Sequence, residues 1–231
     1  MTETSTIQDG GRRAALEAAQ AKALVMFDAI ESAGLIAAGK SEREVEEAIY
    51  ALAEADFGVA QHWHRRIVRS GPNTLTTASD YPDVRTIEPD DTVYVDLGPV
   101  FETWEADIGR TYALGAAEDR RRLVAALPRV FEDVQRHYQA APEITGDQLY
   151  AYAQGAAEAA GWVFGGAIAG HLVGEFPHSR WPGEREHMVI WPANTWPMRD
   201  PDHLGRERHW ILEIHLVDAA RTFGGFYERL L

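Results

Sequence analysis

The stretch 93–112, VYVDLGPVFETWEADIGRTY, constrains this chain more than any other. Asp96 ends one apolar, strand-like arm and Asp107 begins the next, with a turn between them. Side chains alternate faces along a strand, so a hairpin can set one residue from each arm side by side. Two carboxylates held together on an otherwise apolar surface repel each other. They are tolerated only with a cation or with shared protons. The competing reading leaves one or both aspartates at strand ends in solvent.

Three further segments place polar groups in apolar surroundings. Residues 170–178, GHLVGEFPH, carry His171 and His178 beside glycines that let the backbone approach a ligand. A single histidine is more often a satisfied core or surface residue, and this chain has 9. Glu213 lies inside the apolar run WILEIHLVD, and a buried glutamate is almost never unpaired. Glu228 lies between aromatic and leucine residues in FGGFYERLL. Four carboxylates and an imidazole, with no sulfur, are a ligand set for two hard-to-borderline divalent ions. Two such ions about 3.5–4 Å apart can share a water, lower its pKa and polarise a carbonyl, which is hydrolytic chemistry.

The rest of the chain is an ordinary globular sequence. It is 45% hydrophobic and 25% charged, which excludes disordered, collagenous and coiled-coil readings. No apolar run approaches the ~18–20 residues of a membrane span, and the N-terminus does not read as a secretory signal, so a cytoplasmic location is expected. With Cys 0, disulfide scaffolds, zinc ribbons and thiol catalysis drop out. A net charge of −14 disfavours nucleic acid and anionic lipid as partners. Phosphate loops and a dinucleotide glycine motif are absent.

Leu16, Ala23, Phe27 and Ile30 stand at helical spacing, followed by a capping box at Ser41 and Glu44 and a glycine stop at Gly58. Strand-like segments follow at 62–68, 92–98 and 106–112. The pattern then restarts with Leu123, Leu127, Val130 and Val134, a second capping pair at Thr145 and Gln148, and strand-like pieces at 162–168, 187–191 and 210–218. This predicts an α+β fold with helices on one face of a curved sheet. We expect one domain over 1–231, made of halves 12–115 and 116–231, with 1–11 as a flexible tail.

Asp96, Asp107, His171, Glu213 and Glu228, in that order and with the Asp96–Asp107 and His171–His178 intervals, resemble the pita-bread metallopeptidases. That family includes methionine aminopeptidase, Xaa-Pro aminopeptidase, prolidase and creatinase. The resemblance implies a pseudo-twofold, curved antiparallel sheet with helices packed on its outer face. It implies that Asp107 and Glu228 bridge two divalent ions, that Asp96 binds one and that His171 and Glu213 bind the other. Manganese is the first expectation, with cobalt, iron and zinc also suited. Glu213 would serve as general acid and base, and His178 would stand beside the ligands or touch the substrate and stabilise the developing oxyanion or the substituents of the tetrahedral carbon. A short peptide or small molecule is the implied substrate, and a homodimer the implied assembly.

Departures from the family pattern bear on the substrate. The family histidine expected near 75–80 is missing, and His64 is the candidate replacement in catalysis and substrate contact. No proline follows Glu213. His215 stands two residues on, on the same strand face, as a candidate substrate contact. Trp196, with Trp181, Trp191 and Trp210, is a candidate for a pocket mouth, and Arg180 and Arg199 for pairing with a substrate carboxylate. The function implied is dinuclear, metal-dependent hydrolysis of a peptide or amide C–N bond, aminopeptidase-like. The alternatives are a specialised small-molecule enzyme on the same fold, possibly non-hydrolytic, and a non-catalytic peptide-binding module.

Overall fold

The computed structural model describes residues 3–178 and 185–231. Helix α1 (Glu3–Ser32) buries Leu16, Ala23, Phe27 and Ile30, the face its spacing predicts. It starts inside the segment expected to be a tail: no proline interrupts those residues, and lengthening a helix adds one hydrogen bond per residue ordered. Helix α2 (Glu42–Phe57) opens with the predicted box. Ser41 Oγ accepts from Glu44 N at 3.2 Å, and Glu44 Oε2 accepts from Ser41 N at 2.7 Å. It closes on Gly58, whose φ of 65° is left-handed.

Strands β1 (Ile67–Ser70) and β2 (Thr92–Leu97) follow, then a small hairpin of β3 (Val100–Phe101) and β4 (Trp104–Glu105), then β5 (Ile108–Ala113). The second half repeats the plan with α3 (Glu118–Ala140), α4 (Gly146–Ala159), β6 (Val163–Phe164), β7 (Gly170–Val173), β8 (His209–Val217) and β9 (Gly224–Leu230). The main sheet runs β1-β2-β5-β9-β8-β6, with β7 also paired to β8 and every pairing antiparallel. Read from either edge to the middle, the strands come in the same relative order, so the two halves meet at β5 and β9.

Alternation divides the sheet into two faces. Val93, Val95 and Leu97 of β2, with Ile108, pack against α1 and α2. Leu212, Ile214 and Leu216 of β8 pack against α3 and α4. The intervening residues Tyr94, Asp96, Glu213 and His215 therefore belong to the opposite face.

Three strand expectations change, the first being 162–168, of which only β6 is a strand. Of the segment 62–68, only its end joins the sheet. His62 instead bridges Pro99, and Trp63 N donates to Gly98 O at 2.9 Å. The segment 187–191 is not a strand: a 3-10 turn, Arg185–Met188, leads into a single bridge between Val189 and His171. Ile190 adds two backbone bonds, its N donating to Gly170 O and its O accepting from Ala169 N, both at 2.8 Å, and Pro192 has no N–H with which to add another.

Candidate metal centre

One rung of the sheet carries most of the site. Asp96 on β2 pairs with Gly109 on β5, Gly109 with Glu228 on β9, and Glu228 with Glu213 on β8. Gly109 is the gap in this row that makes room for its neighbours. A Cβ there would lie 2.6 Å from the Phe226 ring and 3.2 Å from Glu228 Cβ. Asp107 enters from just before β5, and His171 from β7, where it faces Ile211 of β8.

The five residues expected as ligands converge. His171 Nε2 lies 3.0 Å from Asp107 Oδ2, 3.5 Å from Glu213 Oε1 and 3.9 Å from Glu228 Oε1. His64 joins them, its Nε2 3.0 Å from Asp107 Oδ1 and 3.4 Å from Asp96 Oδ1. Asp96, Asp107 and Glu228 are only 6%, 3% and 2% exposed. Asp96 Oδ1 and Glu228 Oε2 are buried and make no hydrogen bond. Such groups are costly unless something else occupies their lone pairs. His64, Asp96 and Asp107 form one group able to hold a metal ion, and Asp107, His171 and Glu228 another.

Without an ion, protons hold this cluster together. Burial opposes charge on His64, but Asp96 and Asp107 more than offset it and raise its pKa to about 9. His171 is likewise raised to about 9, against burial, chiefly by Asp107. Burial would raise Asp107, yet the two imidazoles hold it well below the usual carboxylate range. Asp96, Glu213 and Glu228 are pushed up, first by burial, with neighbouring carboxylates adding to it.

The cluster floors a cavity of about 460 Å³. Trp63, Ile67, Tyr94, Ile168 and Phe226 give it apolar walls, and segments 76–79 and 166–168 form its rims. His215 lines it as expected. Its Nε2–H donates to Thr74 O at 2.8 Å, and burial lowers its pKa. Arg65 also lines it, but its guanidinium is spent on the carbonyls of Ala78 and Asp80 and stacks on Tyr81.

Other expected contacts lie elsewhere. Trp196 is 47% exposed, stacks on His187 and is not among the cavity-lining residues, because it sits beside the start of α4, where its carbonyl accepts from Gly146 N. Arg199 donates to the carbonyls of Tyr138, Ala141 and Pro142, and its surroundings are those of the α3–α4 connection. Arg180 and Trp181 lie outside the described residues. His178 is not among the described cavity-lining residues; its ring is stacked on His171 at 5.8 Å and edge-on to Trp63 at 4.8 Å.

Sequence reasoning missed the residue that holds His178. Glu105 is buried, pairs with His178 Nδ1 and accepts from His178 N at 3.1 Å. The signal was present: Glu105 stands two residues before Asp107, the side-chain repeat of an extended arm. Trp63 was also missed. Its ring contacts His64, His171 and His178 together, which only the folded chain brings about.

A sheet of twofold strand order, helices on one face and a carboxylate–imidazole cluster on the other, defines a pita-bread protein. The family model of metallopeptidase family M24 matches residues 14–198, and the chain belongs to that family. A Xaa-Pro dipeptidase from Lactobacillus helveticus is 29% identical over 137 residues, 59% of this chain and 35% of that protein. The prolidase from Thermococcus sibiricus shares the fold with a TM-score of 0.72 at 23% identity, over 95% of this chain and 55% of that one. Methionine aminopeptidase from Rickettsia prowazekii does so with a TM-score of 0.69 at 12% identity, over 100% of this chain and 93% of that one. The chain thus spans about a third of the curated relative it matches and just over half of the prolidase.

Proposed function

We propose that this chain is a metal-dependent hydrolase that cleaves a peptide or amide C–N bond, in the manner of an aminopeptidase. The observation that carries the proposal is the buried rung, with lone pairs on Asp96 and Glu228 left without a hydrogen bond beside two imidazoles. The donor set fits a pair of divalent ions: oxygen-rich with imidazole nitrogen, which suits manganese first and cobalt, iron or zinc as well. Asp107 and Glu228 would bridge, Asp96 would hold one ion, and His171 and Glu213 the other. Ions bound there supply a Lewis acid and a water of lowered pKa.

The chain's own residues do the rest. Glu213 takes the proton of the attacking water on its carboxylate and returns it to the leaving nitrogen. Tyr94, Ile168 and Phe226 exclude water around a small apolar group, while His215 offers a ring nitrogen to the substrate. His178 acts as a positioning residue: Glu105 fixes its ring, and its stack holds His171 in place.

The test is turnover by protein stripped with a chelator and reloaded with manganese, cobalt, iron or zinc. The substrates would be Xaa-Pro and Met-Xaa di- and tripeptides and small amides. Cleavage with metal and none without is expected; no cleavage of any substrate by fully loaded protein would overturn it.

A further inference from the structure

The two imidazoles of the cluster are built alike. His171 Nδ1 faces the carbonyl of the next residue, Leu172, at 2.7 Å, and its Nε2 points at Asp107 Oδ2 at 3.0 Å. His64 Nδ1 faces the carbonyl of its own next residue, Arg65, at 2.5 Å, and its Nε2 points at Asp107 Oδ1 at 3.0 Å. A carbonyl can only accept, so Nδ1 carries hydrogen in both rings, and Nε2, which donates to the carboxylates while no ion is bound, is the nitrogen left for a metal. This is how proteins prepare histidines for metals: the outer hydrogen bond fixes the tautomer and turns the other nitrogen inward.

The surroundings agree. Asp96 Oδ1, 3.4 Å from His64 Nε2, makes no hydrogen bond, so its lone pairs and the Nε2 of His64 face a common point. The twofold order of the sheet gives each half a carboxylate on or just before an inner strand, Glu228 or Asp107, and one on the strand beside it, Glu213 or Asp96. His171 is the imidazole of the second half; in the first, His64 reaches Asp96 and Asp107 from a segment outside the sheet that is bridged to Pro99. Space for it is reserved by Gly98, where a Cβ would meet the His64 ring at 2.3 Å and Trp63 Nε1 at 2.5 Å.

We infer that His64 is a sixth metal ligand, binding through Nε2 to the ion held by Asp96, so that each ion of the pair has one imidazole. This rests on the metal centre proposed above and adds to it a nitrogen on the side otherwise supplied by oxygen alone. An imidazole there shifts preference toward cobalt and zinc and away from magnesium.

The test uses metal-free protein titrated with cobalt, read by bound-metal analysis, visible absorption and proton NMR of the paramagnetic complex. Wild type is expected to bind two ions and to show two exchangeable, strongly shifted ring N–H signals, from His64 and His171. His64→Gln should keep one signal and bind its second ion at least about 10-fold more weakly. Gly98→Ala, which displaces the ring without removing it, should weaken the same ion.

A single shifted N–H signal in wild type overturns the inference without any variant. So do two ions bound at wild-type affinity in both variants, which would leave His64 a substrate-facing group. If wild type binds no metal at all, the metal centre itself fails, and that outcome is distinguishable from the others.

Discussion

Asp107 stands between two imidazoles, one on each of its oxygens, and Glu228 lies a rung away with an oxygen bonded to nothing. Removing either carboxylate removes a proposed bridge, so Asp107→Ala and Glu228→Ala should lose bound metal and turnover together, measured by elemental analysis beside the peptide assay. Glu105 is a different case because it touches the cluster only through His178. Glu105→Gln should keep full metal content and lower kcat by about 10- to 100-fold, with a smaller change in KM. Protonation gives a third expectation. In the metal-free protein His64 and His171 are raised to about 9 from an ordinary 6.5, so the folded state binds these protons more tightly than the unfolded chain does. That stabilisation is complete below pH 6.5 and is lost as the pH rises to 9. The melting temperature of metal-free protein should therefore fall across pH 6.5–9, and added manganese should reverse the fall. A flat profile in that window would show that the two imidazoles are not held by the carboxylates.

At the scale of elements, the site depends on strand parity and on what glycine leaves open. Along β8, Leu212, Ile214 and Leu216 face the helices, which sends Glu213 and His215 to the cavity side. Gly109→Ala would place a Cβ 2.6 Å from the Phe226 ring in the row of candidate ligands. The ring and Glu228 must give way, so a loss of about 1–3 kcal/mol in denaturant unfolding is expected, together with weaker manganese binding. The cavity rim has its own anchor. Glu42, at the start of α2, accepts from Ser70 N at 2.7 Å, Ser70 Oγ at 3.0 Å and Asn73 Nδ2 at 2.9 Å. Glu42→Ala strands those donors and should cost about 1–3 kcal/mol. It should also expose segment 71–85 to proteolysis while leaving α3 and α4 protected.

Across the whole molecule, the strand order β1-β2-β5-β9-β8-β6 brings residues from both halves onto one rung and joins the hairpin of Asp96 and Asp107 to Glu213 and Glu228. Much of this was legible beforehand. Helical spacing marked the buried face of α1, the Ser41 box marked the start of α2, and carboxylates inside apolar runs marked the candidate ligands, because each is a local pattern with a local cause. The short β3–β4 hairpin and β7 were not legible as strands, being too brief to show a repeat, and 187–191 looked like a strand without pairing as one. The contacts of Glu105 and Trp63, the partners of the candidate His64, and the exclusion of Trp196 from the cavity lining were decided by tertiary structure. His64 reaches Asp107 only because segment 61–64 is bridged to Pro99 beside an open Gly98, and His178 is held by Glu105 because 174–176 docks on the hairpin. Alternation and charge act between near neighbours and can be read along the chain. Which distant side chains share a cavity is settled by packing, which the chain acquires only on folding.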